Sequence, residues 1–66
     1  MIQYDYHLAY DDGNMVIRDS DETLIERYDK KSKQWVEDLE MSRIYFGSIP
    51  AKRITEKEAM KIISSY

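Results

Sequence analysis

His7 is the only histidine in the chain, and Asp5 stands two residues before it. On a strand that spacing puts both side chains on one face. A carboxylate beside an imidazole can orient the ring and stabilise its charged form, which is the equipment for moving a proton. Proton transfer also needs a reacting group, and no serine or other nucleophile falls beside His7 in the expected pairing. His7 is therefore read as a histidine on the solvated face of a strand, with Asp5 and Arg18 as neighbours. The acidic run Asp19-Ser20-Asp21-Glu22 raises the question of calcium. A calcium loop of the EF type needs glycine at its sixth position and glutamate at its twelfth. Counted from Asp19 those positions are Leu24 and Lys30, so the run is read as a polar turn. Lys30, Lys31 and Lys33 form a basic loop tip, and Lys52 and Arg53 are expected near it. These five cations are the candidate binding surface, because clustered lysine and arginine can neutralise phosphate. Six tyrosines and one tryptophan could stack bases. They suit a small core equally well, the ring buried and the hydroxyl at the rim.

The absence of cysteine excludes disulfides and every cysteine-based zinc site. It fits a reducing compartment. There is no glycine-rich phosphate loop, and no cofactor or metal is expected. Met1 to Asp5 shows no basic start followed by an apolar run. No apolar stretch approaches the roughly 20 residues that span a bilayer. These features point to a cytoplasmic protein that does not engage a membrane. Sixty-six residues make one domain at most, 1–66, with a thin core. The net charge of −3 is unevenly spread. Residues 1–29 carry eight acids and two bases, and residues 30–66 carry eight bases and five acids. Such asymmetry lets the two halves attract each other across the fold, or points to a charged partner.

Several elements must position these groups. Ile2, Tyr4, Tyr6, Leu8 and Tyr10 are apolar or aromatic at every second position, the alternation of a strand with one buried face. Asp12-Gly13 is a preferred pair for a two-residue hairpin turn. With it as the loop, Tyr10 faces Met15, Leu8 faces Ile17 and His7 faces Arg18. Ser20-Asp21-Glu22 is a second turn. The stretch Thr23–Asp38 reads as another hairpin, with residues 30–33 as its loop, Tyr28 opposite Trp35, Leu24 opposite Leu39, and the like-charged Glu26 opposite Glu37. Asp38 can cap a short helix, Gly47 can end it, and Met41, Ile44 and Tyr45 would share one face. Thr55-Glu56-Lys57-Glu58 is a capping box. Ala59, Ile62, Ile63 and Tyr66 then make one apolar helical stripe. The predicted fold is α+β: a four-stranded antiparallel β-meander with a C-terminal helix packed on its tyrosine face. Tyr4, Tyr6, Leu8, Ile17, Trp35, Ile62 and Ile63 are the predicted core.

The segment ERYDKKSKQW resembles the inner hairpin of a kelch propeller blade. A kelch blade takes about 50 residues and several copies, and this chain has one copy and no double glycine, so the resemblance implies a hairpin and no function. Over most of its length the chain resembles short uncharacterised proteins of low-GC Gram-positive bacteria and their mobile elements. The tyrosine-rich first strand, Tyr28 with Trp35, and Ile54-Thr55-Glu56-Lys57-Glu58-Ala59 carry that resemblance. It implies a cytoplasmic bacterial or phage setting and no activity. The function best matched to these features is a non-enzymatic interaction module, an accessory or inhibitor protein of a phage or mobile element. The alternative is nucleic-acid binding through the basic tip and exposed aromatics, although the acidic first hairpin works against it. A thin core without disulfide or metal favours a homodimer, with the strand Ile2–Tyr10 as the pairing edge.

Overall fold

The structure, a computed structural model, describes residues 2–10 and 13–66. Strand β1 is Asp5–Tyr10 and β2 is Asn14–Asp19. Strands β3, Glu26–Asp29, and β4, Gln34–Glu37, follow. A 3-10 helix, η1, runs from Leu39 to Phe46. Strand β5 is Ala51–Ile54 and helix α1 is Glu56–Ser64. The sheet order is β4-β3-β2-β1-β5, and every pairing is antiparallel. The meander is therefore present, with a fifth strand added beside β1. No helix among the described residues is long and apolar enough to cross a membrane.

The β3–β4 hairpin takes the expected register, with Asp29 opposite Gln34, Tyr28 opposite Trp35 and Glu26 opposite Glu37. Tyr28 and Trp35 meet edge to face, their ring centroids 5.3 Å apart. The strain of two facing glutamates is relieved from β2: Arg18 Nε donates to Glu26 Oε1 at 2.7 Å. Leu24 and Leu39 lie beyond the paired residues and are both exposed.

The β1–β2 register corrects the sequence reading by one residue. Tyr10 pairs with Asn14, Leu8 with Val16, His7 with Ile17 and Tyr6 with Arg18. The connection thus holds residues 11–13, with Gly13 in the left-handed region at φ +107°. The two-residue turn expected at Asp12-Gly13 rests partly on Asp12, which lies outside the described residues, as does Asp11. A one-residue slip turns every side chain of β2 to the other face. Val16 joins Leu8, and Met15 and Ile17 join Ala9 on the opposite side. Met15-Val16-Ile17 is apolar without a break, so alternation could not choose between the registers.

The sheet is covered on both faces. One core holds Tyr6, Leu8, Val16, Ile54 and Ala59 beneath α1, with Tyr4, Tyr28, Trp35, Ile62 and Ile63 half-buried around it. The second holds Ala9, Ile17, Ile25, Met41 and Ile49, with Met15 and Ile44 beside it. Of the predicted core, Tyr6, Leu8 and Ile17 are buried. Ile17 is buried on the face that was expected to meet solvent, because η1 lies over it.

Helix α1 starts as expected. Thr55 Oγ1 accepts from the Glu58 backbone N–H at 3.1 Å, and Glu58 Oε1 accepts from the Thr55 N–H at 3.1 Å. That second bond holds the Glu58 carboxyl below its ordinary value. The helix between Asp38 and Gly47 is present with both expected ends. Asp38 Oδ1 accepts from the Glu40 N–H at 3.1 Å, and Gly47 closes the helix at φ +76°, a conformation that favours glycine. Its winding is 3-10, so side chains fall into three rows at i, i+3 and i+6. The row Met41–Ile44 is turned to the sheet. The row Glu40–Arg43–Phe46 is turned away, and the row Leu39–Ser42–Tyr45 lies along the flank, where Leu39 is exposed and Tyr45 reaches back to the sheet with its hydroxyl.

β4 lies at one edge of the sheet and β5 at the other, so η1 carries the chain across that face. This arrangement corrects the expected pairing edge. β1 is flanked by β2 and β5 and offers no edge to a second copy.

Candidate functional site

His7 is where the structure gathers the most polar chemistry. It alternates with Tyr6 and Leu8 and therefore points to the η1 face, as do Asp5, Asp19 and Arg53, which the register places around it. The expected neighbour Asp5 shares its face. Arg18 does not, because the register slip turns Arg18 to the tyrosine face, where it pairs with Tyr6. In its place η1 delivers Tyr45. The Tyr45 hydroxyl donates to Asp19 Oδ2 at 2.7 Å and lies 3.2 Å from His7 Nε2. With its own proton given to Asp19, the tyrosine oxygen accepts from His7, which places the neutral imidazole proton on Nε2. The His7 and Tyr45 rings meet edge to face at 5.6 Å. Arg53 closes the group by donating to Asp5 Oδ1 at 2.6 Å.

The hydrogen bonds make this cluster a clasp between η1 and the sheet. Burial, then the hydrogen bond to Asp19 and its negative charge, push the Tyr45 hydroxyl up to about 12. It is therefore a proton donor fixed in place, unsuited to nucleophilic attack near neutral pH. Burial pushes His7 below its ordinary value, against the opposing pull of the Asp5 carboxylate. The folded state thus favours the neutral ring. That contribution to stability is present above the unfolded histidine value and is lost as pH falls through the lower folded value. Thermal midpoints measured between about pH 7 and pH 5 should fall further for the wild type than for His7→Gln, which cannot titrate. Parallel curves would mean that His7 contributes nothing to the pH dependence.

The five cations are not brought together. Lys30, Lys31 and Lys33 cap the β3–β4 hairpin, whereas Lys52 and Arg53 sit on β5 at the far edge. Three to four strand spacings of about 4.8 Å separate the two groups. Lys30 and Lys31 line a shallow groove of about 370 Å³ with Met15, Arg27 and Tyr28. Lys30 Nζ lies 4.6 Å above the Tyr66 ring. Arg27 is held by Asp38 at 3.0 Å, and Arg53 by Asp5. The acidic turn is polar as read: Ser20 Oγ accepts from the backbone N–H groups of Glu22 and Thr23. Among the described residues no group of three histidine, cysteine or acidic side chains could hold a metal ion.

Sequence reasoning missed two features. Tyr45 lies 38 residues from His7, and nothing local announces that contact. The other is the apolar outside of η1. Leu39 is 63% exposed and Phe46 79%, although the same helix buries Met41. Comparison of the chain with protein-family models, with curated proteins and with solved structures finds no match in any of the three.

Proposed function

We propose that the chain is a non-enzymatic interaction module that meets a protein partner through the outer side of η1. One observation carries the reading: Leu39, Tyr45 and Phe46 stand exposed on a single eight-residue helix that is clasped to the sheet. The Tyr45–Asp19 bond and the Arg27–Asp38 pair fix its two ends. Rigid, exposed aromatic and aliphatic side chains are the usual anchors of protein interfaces, and a surface held in advance loses less entropy on binding. The small size and the resemblance to mobile-element proteins support an accessory or inhibitor role in a bacterial cytoplasm. The nucleic-acid reading is weakened by the separation of the loop lysines from Lys52 and Arg53.

Capture from bacterial lysate on immobilised protein tests the reading. The double variant L39S/F46S changes only exposed side chains and should fold normally. A bound protein should be retained by the wild type and lost by the double variant. Equal retention by both would refute the proposed surface.

A further inference from the structure

The outward row of η1 carries two charges that the fold leaves free. Glu40 and Arg43 are exposed and stand three residues apart on that row. Among the described residues neither takes part in an ion pair, with the other or with any further side chain. At the rise of about 2.0 Å per residue of a 3-10 helix, Glu40, Arg43 and Phe46 follow one another in steps of about 6 Å. Leu39 flanks Glu40 at the start of the helix. Phe46 and Leu39 are the two most exposed large apolar side chains among the described residues. Along η1 the exposed order is therefore apolar, negative, positive, apolar.

That order is complementary to its own reverse. Resting on the reading of η1 as an interaction surface, we propose that a second copy of the chain is a partner it fits: two η1 helices pack antiparallel about a two-fold axis midway between Glu40 and Arg43. Glu40 of each copy then faces Arg43 of the other, and Phe46 of each meets Leu39 of the other. These reciprocal contacts are what an isologous two-fold interface requires. A parallel pairing sets glutamate on glutamate and arginine on arginine. An antiparallel axis at Glu40 or at Arg43 does the same for that residue. An axis between Arg43 and Phe46 sets each arginine on a phenylalanine ring and leaves both glutamates without a partner. An eight-residue 3-10 helix is only about 16 Å long, so the contact falls short of the ~1,200 Å² of stable complexes. The dimer therefore forms at high micromolar concentration and leaves η1 open to another protein when dilute.

Light scattering of the full chain at high micromolar concentration provides the test. The wild type should show twice the 7.9 kDa chain mass. Glu40→Arg and Arg43→Glu should each be monomeric, because either reversal sets like charges face to face. The double variant E40R/R43E restores the pairing and should be dimeric again, and L39S/F46S should be monomeric. All four side chains are exposed, so each variant should keep its fold, as far-UV circular dichroism will show. If one charge reversal fails to fold, the other decides. A monomeric wild type, single reversals that stay dimeric, a folded E40R/R43E that stays monomeric, or a dimeric L39S/F46S would each overturn the proposal. Capture from lysate on dilute immobilised protein reads η1 without the dimer. A monomeric wild type that still loses its captured protein in L39S/F46S would overturn the pairing and leave the reading of η1 standing.

Discussion

Replacing Ile17 with alanine should lower stability by about 2–5 kcal/mol, the range for truncating a large aliphatic side chain in a closed core. Ile17 has no exposed surface, and it is packed with Ala9, Ile25, Met41 and Ile49 between the sheet and η1. A domain of this size has a total stability of roughly 3–10 kcal/mol, so this one change should consume most of it. Met41→Ala should behave alike, since Met41 is the η1 side chain on the same core. Leu24→Ala should leave the urea midpoint nearly unmoved, because Leu24 is half-exposed beyond the end of β3. A loss below about 1 kcal/mol for Ile17→Ala would mean that η1 does not close over the sheet, and the clasp at Tyr45 would lose its basis.

Arg18→Ala should be the next most damaging change, at about 2–3 kcal/mol. The guanidinium lies over two rings, 4.2 Å from the Tyr4 centroid and 4.3 Å from that of Trp35. Its Nε bonds Glu26 at 2.7 Å, and both side chains are mostly covered. Removing it strips a cation from two aromatic faces. It also leaves Glu26 covered and facing Glu37. The partial exposure of the pair keeps the expected loss below that of a fully buried ion pair. Arg27→Ala should cost less, about 1 kcal/mol, because Arg27 is more exposed and has no ring beside it. Urea denaturation orders the two variants, and Trp35 emission should move in Arg18→Ala. Equal costs would show that the aromatic contacts contribute nothing.

The elements that could be read from sequence were those whose signals are local. Tyr28 and Trp35 sit either side of a four-residue polar loop, and that spacing alone defines the hairpin register. Thr55 and Glu58 satisfy each other within one turn of chain, so the cap of α1 is visible without tertiary information. Asp38 and Gly47 likewise mark the ends of η1. Its 3-10 winding does not show, because the same caps serve both helix types. β5 was hidden for a different reason. Ala51, Lys52 and Arg53 are exposed and only Ile54 is buried, so an edge strand of four residues leaves no alternation to detect. The β1–β2 register failed where Met15, Val16 and Ile17 suit either face. That failure sent Arg18 to the wrong side of the sheet and paired it with His7 in place of Tyr6. The grouping of His7, Tyr45 and Asp19 depends on the crossing of η1, which no short stretch encodes.

Whether the surface of this chain meets protein through η1 or phosphate through its lysines is tested most directly by a salt series with a short labelled duplex and a single strand. Phosphate neutralisation dominates such binding and weakens steeply with salt. Only the loop lysines lie close enough together to contribute, and acids dominate the first two strands. Binding should therefore be no tighter than micromolar at ~150 mM salt, and charge reversal at Lys30, Lys31 and Lys33 should change nothing. Sub-micromolar binding at that salt, lost on the same charge reversal, would contradict the account and make those three lysines the functional site.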